Sequence, residues 1–122
     1  MVKLVFCLRR RPEMSRVEFQ RYWRDRHAPL VARHAATLRI ARYVQLHSLS
    51  SPVNEALRVS RGGPEEFDGI AELWWQSEAD LAAATASQEG RRASLELLED
   101  ERRFIDLARS PLWIAEEKPI LG

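Results

Sequence analysis

Three histidines and a single cysteine are the side chains in this 122-residue chain whose chemistry runs near neutral pH. His47 closes the stretch "IARYVQLHS", where alternation puts Ala41, Tyr43, Gln45 and His47 on one side of a strand. In "DGIAELWWQS" the same alternation puts Ile70, Glu72 and Trp74 on one side. Reading these two sides as one sheet face brings a carboxylate to an imidazole, an arrangement that orients the ring and supports its charged form. His47 is then the candidate general acid or base, with Glu72 as its orienting partner. Tyr43, Gln45, Ile70 and Trp74 would line the same site, Trp74 offering a flat wall to an aromatic ligand. The competing reading leaves His47 wet at the strand end or bonded to a partner subunit. His27 stands in "YWRDRHAP", two residues before Pro29. It either points into a pocket under its helix or bonds backbone where the proline breaks the helix. His34 falls near that helix's end, where an imidazole suits the negative end of the dipole.

Other chemistries lack their residues. The histidines are separated, with no H-x-H, H-E-x-x-H or Cys/His cluster, so no metal site is expected. No G-x-G-x-x-G or phosphate loop points to a nucleotide cofactor, and none is expected. Cys7 lies in an apolar strand, where a thiol behaves as a small hydrophobe. Asp106 and the run Arg9 to Arg11 read as surface charge. The formal net charge of +1 provides no field for nucleic acid or an acidic membrane. No apolar run reaches the ~18 residues of a membrane span. The arginines follow the first apolar segment, the reverse of a signal peptide, so a cytoplasmic protein is expected.

The elements that must position these residues follow from periodicity. One domain, residues 1–122, is expected at this length. "KLVFCLRR" (3–10) is too short for a helix and is apolar, so it reads as a strand. Ser15-x-x-Glu18 is a capping box that opens a helix. At about 100° per residue, Phe19, Trp23, Arg26, Leu30 and His34 share one side of it, with a kink or break expected at 26–28 because of Pro29. Strands are expected over 40–48, 68–77 and 112–117. Residues 49–67 form a long polar excursion. A second helix starts at Ser77 as N-cap, is interrupted near Gly90, and continues with Leu95, Leu98, Arg102 and Ile105 near one face. Strand, helix, strand, strand, helix, strand is the ferredoxin-like βαββαβ order: α+β, with a four-stranded antiparallel sheet and helices on one face. Tyr43, Ile70 and Trp74 on the other face would form a large apolar patch, which a second copy of the chain would cover.

"LVFCLRRRPEMSRVEFQRYWRDRHAPLV", followed by "ARYVQLH", "FDGIAELWW" and "DERRFIDLARSPLWIAEE", resembles the EthD family of the dimeric α+β barrel superfamily. The likeness runs from Lys3 to about Glu117 and departs around 51–61. It implies a homodimer built through the open sheet face, with a pocket between sheet and helices or in the barrel interior. It implies a cofactor-independent enzyme acting on a small aromatic or hydrophobic metabolite by proton transfer, of dehydratase, cyclase or isomerase type. The alternatives are a cofactor-free monooxygenase, a ligand-binding or accessory protein serving an oxygenase, and a stress-type barrel with an incidental pocket. Fold likeness within such a superfamily does not fix the reaction.

Overall fold

The computed structural model describes residues 1–122. Its strands are β1 (Val2–Leu8), β2 (Arg42–His47), β3 (Gly69–Trp75) and β4 (Leu112–Ala115), and they form one antiparallel sheet in the order β2-β3-β1-β4. The helices are α1 (Arg16–Tyr22), α2 (Ala28–His34), α3 (Pro52–Arg61), α4 (Glu78–Ala86) and α5 (Gln88–Glu101). This is the ferredoxin-like α+β fold. β1 is central because it is apolar on both sides, and its Phe6, Cys7 and Leu8 are buried. The core joins Phe6, Leu8 and Ala71 of the sheet to Phe19, Trp23, Phe104 and Ile105 above it.

The capping box is formed. Ser15 Oγ accepts from the Glu18 amide at 3.1 Å, and Glu18 Oε1 accepts from the Ser15 amide at 3.0 Å. Beyond α1 the helix neither breaks nor keeps its α period. Trp23–His27 is a π turn, in which the Ala28 amide donates back to the carbonyl of Trp23. The cause is Pro29, which has no amide to offer and whose ring crowds the carbonyl four residues back; one extra residue in the turn relieves both. The expected stripe is thereby re-phased. The buried positions are Phe19, Trp23, His27 and Val31, while Arg26 is exposed. His27 is turned fully inward, and only 5% of it remains exposed.

The register of β2 on β3 also corrects the expected faces. Tyr43 pairs with Leu73, Gln45 with Ala71 and His47 with Gly69, so Tyr43, Gln45 and His47 share the helix-covered face. Ile70, Glu72 and Trp74 lie beside Leu46, Val44 and Arg42 on the open face. Pattern alone could not decide this, because both faces of β3 are apolar and aromatic. Gly69 helps settle it: a Cβ there would lie 2.4 Å from the Trp23 ring and 2.8 Å from the carbonyl of Leu46. Only a glycine lets the helix seat its tryptophan at this point.

The long excursion contains a helix. Ser51 caps α3 by accepting from the Val53 amide, Pro52 occupies the first turn, and Gly62 ends it at φ 62°. The second helical region divides at Ser87, not at Gly90. Ser87 ends α4 and caps α5, while Gly90 sits where a Cβ would lie 1.7 Å from the Ala84 carbonyl. α5 ends at Glu101, so Arg102 and Ile105 fall outside it, and Leu95 is exposed. The expected apolar face of this helix is therefore displaced to Gly90, Ala93 and Leu97.

Candidate functional site

A cavity of about 210 Å³ lies between the sheet and the helices, and 15 of its 19 lining residues are hydrophobic. Its polar exceptions include His27 from the π turn and Glu101 at the end of α5. Tyr43 of β2 adds a phenol, and Trp23 and Trp75 add indole walls. An apolar pocket with a few convergent polar groups is the usual form of a small-molecule site.

His27 is held from behind. Its Nδ1 donates to Asp100 Oδ2 at 2.7 Å, and Asp100 Oδ1 accepts from the Tyr22 hydroxyl at 2.6 Å. A carboxylate on Nδ1 selects the tautomer whose Nε2 carries the free lone pair, and Nε2 has no protein partner. Burial pushes the imidazole's pKa below its ordinary value, and Asp100 offsets this in part. His27 is therefore an unprotonated base at neutral pH.

Glu101 lines the same cavity, half-buried, and its carboxyl forms no hydrogen bond or ion pair within the chain. Burial, reinforced by the charge of neighbouring Asp100, pushes its carboxyl up to about 7. Tyr43 accepts from Gln45 Nε2 at 2.7 Å, which leaves its own proton to donate, and burial holds its pKa up. Gln45 Nε2 also donates to the carbonyl of Trp23 at 3.1 Å, tying the π turn to the sheet.

The histidine and carboxylate expected to act together are separated by the sheet. His47 stacks on Trp23 at 4.5 Å between centroids and donates from Nε2 to Gln45 Oε1 at 2.7 Å. It lies outside the cavity lining. Burial, with Arg24 nearby, lowers its pKa. Glu72, on the opposite face, accepts from Lys3 Nζ at 2.5 Å. Trp74 is buried there beneath Lys3 and Arg42, whose cationic groups lie 5.0 and 4.6 Å from its ring, and its indole N–H donates to Glu117. Ile70 is half-buried on that face. Of the expected site residues, the cavity gathers His27 and Tyr43, with Gln45 in support.

Asp100 and Glu101 were not singled out from the sequence, where "LEDERR" reads as a solvated charge run. A signal was nonetheless present. Gly90, Ser94, Leu97 and Glu101 recur at helical spacing, which places a carboxylate on an apolar stripe. His34, at the end of α2, bonds Glu96 Oε2 of α5 at 2.8 Å and serves helix packing. Cys7 is buried, with its thiol pKa raised by burial. No group of three or more His, Cys, Asp or Glu residues is arranged to hold a metal ion, and no helix is long and apolar enough to cross a membrane.

Comparisons with known proteins agree with this architecture. A structure of an EthD family protein from Bacillus halodurans aligns with a TM-score of 0.64 at 23% identity, covering 97% of this chain and 99% of that one. A dimeric ferredoxin-like protein from Bacteroides fragilis aligns with a TM-score of 0.59 at 11% identity, covering 95% of each chain. SnoaB, a cofactor-independent oxygenase from Streptomyces nogalater, aligns with a TM-score of 0.56 at 14% identity, covering 98% of this chain and 95% of that one. A search of curated proteins finds no match. The family model for the EthD domain matches residues 11–108, and the chain belongs to the EthD family.

Proposed function

We propose that this chain is a cytoplasmic, homodimeric enzyme that needs no cofactor and takes a proton from a small hydrophobic or aromatic metabolite held between sheet and helices. His27 is the general base, Asp100 orients it, and Tyr43 hydrogen-bonds an oxygen of the substrate. The observation that carries this reading is the unpartnered Nε2 of a buried, carboxylate-oriented histidine at the wall of a largely apolar cavity. At about 210 Å³ the cavity is smaller than the ~300–1,000 Å³ of drug-sized sites, which favours a one- or two-ring ligand. The second copy would cover the open face, where Leu46 and Trp113 stand exposed beside the polar group of Lys3, Glu72 and Arg42.

2-Naphthol and its ketone relative 2-tetralone test the reading. 2-Naphthol is expected to quench the fluorescence of Trp23 and Trp75. The protein is expected to accelerate exchange of the 2-tetralone C1 hydrogens with D₂O, followed by NMR. His27→Ala should reduce that exchange by roughly 10²–10⁴, the usual contribution of a positioned base. Binding without exchange would refute the enzyme and favour a ligand-binding accessory protein.

Oxygenation without a cofactor is a second reading, favoured by the fold likeness to SnoaB. In it the carbanion left by His27 passes an electron to dioxygen. Oxygen consumption with an electron-rich phenol, abolished in His27→Ala, would distinguish it from simple proton transfer.

A further inference from the structure

We propose that Glu101 is the general acid of this site, and that the substrates are enolisable ketones whose carbonyl oxygen receives the Glu101 proton as His27 removes the α proton. The inference rests on the His27 reading above and adds a second catalytic residue and a substrate class. Three observations lead to it.

The first is composition. None of the residues lining the cavity is Lys or Arg. An enolate formed there would have no fixed cation at its negative oxygen, only the imidazolium formed at the α carbon, and charge in an apolar cavity is costly. The oxygen must therefore be neutralised by a proton as it forms, and two lining groups besides His27 carry an acidic one: Glu101 and Tyr43. Tyr43 is the weaker acid, held further back by burial.

The second is geometry. Glu101 is the last residue of α5, and its neighbour Asp100 turns the other way to bond His27 and Tyr22. The two consecutive carboxyls thus divide, one behind the base and one into the cavity with no protein partner. The Glu101 carboxyl is half-buried and faces the cavity, so a ligand oxygen can meet it directly.

The third is protonation. The titratable groups facing Glu101 are Asp100 on its own helix, His27 from the π turn and Tyr43 from β2. β1, β3, β4 and α4 present no titratable side chain to the cavity. With burial and the Asp100 charge both acting against ionisation, Glu101 holds its proton up to about pH 7 while His27 is already a free base. Environments that push a base and an acid to opposite protonation states are how paired roles are assigned.

The step balances. The α C–H bond breaks and its proton passes to His27 Nε2. The C–H electron pair becomes the new C=C bond, and the carbonyl π pair takes the proton of Glu101. Imidazolium and carboxylate remain, and transfer of one proton between them through solvent restores both. Where the ketone belongs to a ring that becomes aromatic, the enol is the product.

Deuterium exchange of 2-tetralone against pH provides the test. The wild-type rate should rise as His27 deprotonates and fall above about pH 7 as Glu101 ionises. Glu101→Gln should lower kcat by roughly 10²-fold with KM little changed, and should remove the alkaline fall. A ¹³C signal of the Glu101 carboxyl should titrate near pH 7. Glu101→Asp, with the carboxyl withdrawn by one methylene, should retain the alkaline fall at a reduced rate and stands in if the Gln variant does not fold. Wild-type rate and an unchanged alkaline fall in Glu101→Gln would overturn the role of Glu101 and leave His27 standing. No exchange by wild type would overturn both.

Discussion

Holding a carboxylic acid in an apolar cavity should cost stability in a pH-dependent way, and Glu101→Gln measures that cost. The carboxyl is raised from 4.5 to about 7 by burial and Asp100. A group with a raised folded-state pKa contributes its full stability below the unfolded value. That stability is lost as pH rises, over the window from about 4.5 to about 7, and levels off once both states are ionised. At about 1.36 kcal/mol per pH unit the full loss is a little over 3 kcal/mol, and about 2–3 kcal/mol is expected for a half-buried side chain that water still reaches. Glutamine has nearly the same shape and no charge to bury. Urea unfolding should therefore find Glu101→Gln equal to wild type at pH 4.5 and about 2–3 kcal/mol more stable at pH 8. His27 acts in the opposite sense: its lowered pKa makes stability fall as pH drops below about 6.5, so the two slopes oppose each other in the wild type. A Gln variant no more stable than wild type at pH 8 would mean that the carboxyl is not held neutral and would remove the electrostatic basis for its role.

Two further outcomes are expected. Asp68, only 1% exposed, accepts from the Arg10 amide at 2.8 Å, from the Arg10 guanidinium at 2.9 Å and from Arg16 Nε at 3.0 Å; burial pushes its pKa up, and these three donors together bring it below its ordinary value. Asp68→Asn turns an amide N–H toward one of them and should cost about 2–4 kcal/mol in urea unfolding; a loss under about 0.5 kcal/mol would show that the arginines hold nothing there. Light scattering at micromolar concentration should report twice the 14.1 kDa chain mass, and Trp113→Glu on the exposed part of the open face should shift it toward the monomer. A monomeric wild type would refute the dimer.

The order of elements was legible because each carries its own punctuation. Ser15 and Glu18 mark a helix start, and short β-rich runs mark the strands. Three features were not legible, each for a physical reason. The sheet faces depend on register, and β3 carries apolar side chains on both sides, so shifting the pairing by one residue reads equally well. The helix stripe depends on a constant period, which the π turn interrupts. The helix in 52–61 was hidden by its polar composition, although Ser51, Pro52 and Gly62 mark its ends. The site suffered from the first two together. His47 and Glu72 looked like partners through the wrong register, while His27, expected beside a break at Pro29, could equally have pointed into the pocket or bonded backbone there. Asp100 and Glu101 do not stand out in the sequence, because charged residues on helices are usually solvated.

The π turn has a consequence for how this protein can vary. Phe19, Trp23, His27 and Val31 point the same way only because the turn holds one residue more than an α-helix would. Removing any residue between Trp23 and Ala28 would restore the common period and rotate everything on one side of the cut by about 100°. Trp23 or His27 would then leave the cavity, and the carbonyl of Trp23 would leave Gln45. Arg24, Asp25 and Arg26 meanwhile face solvent, where their identities matter little. The segment is thus strict in length and permissive in spelling. Alternative sequences there should exchange those three residues freely while tolerating neither insertion nor deletion.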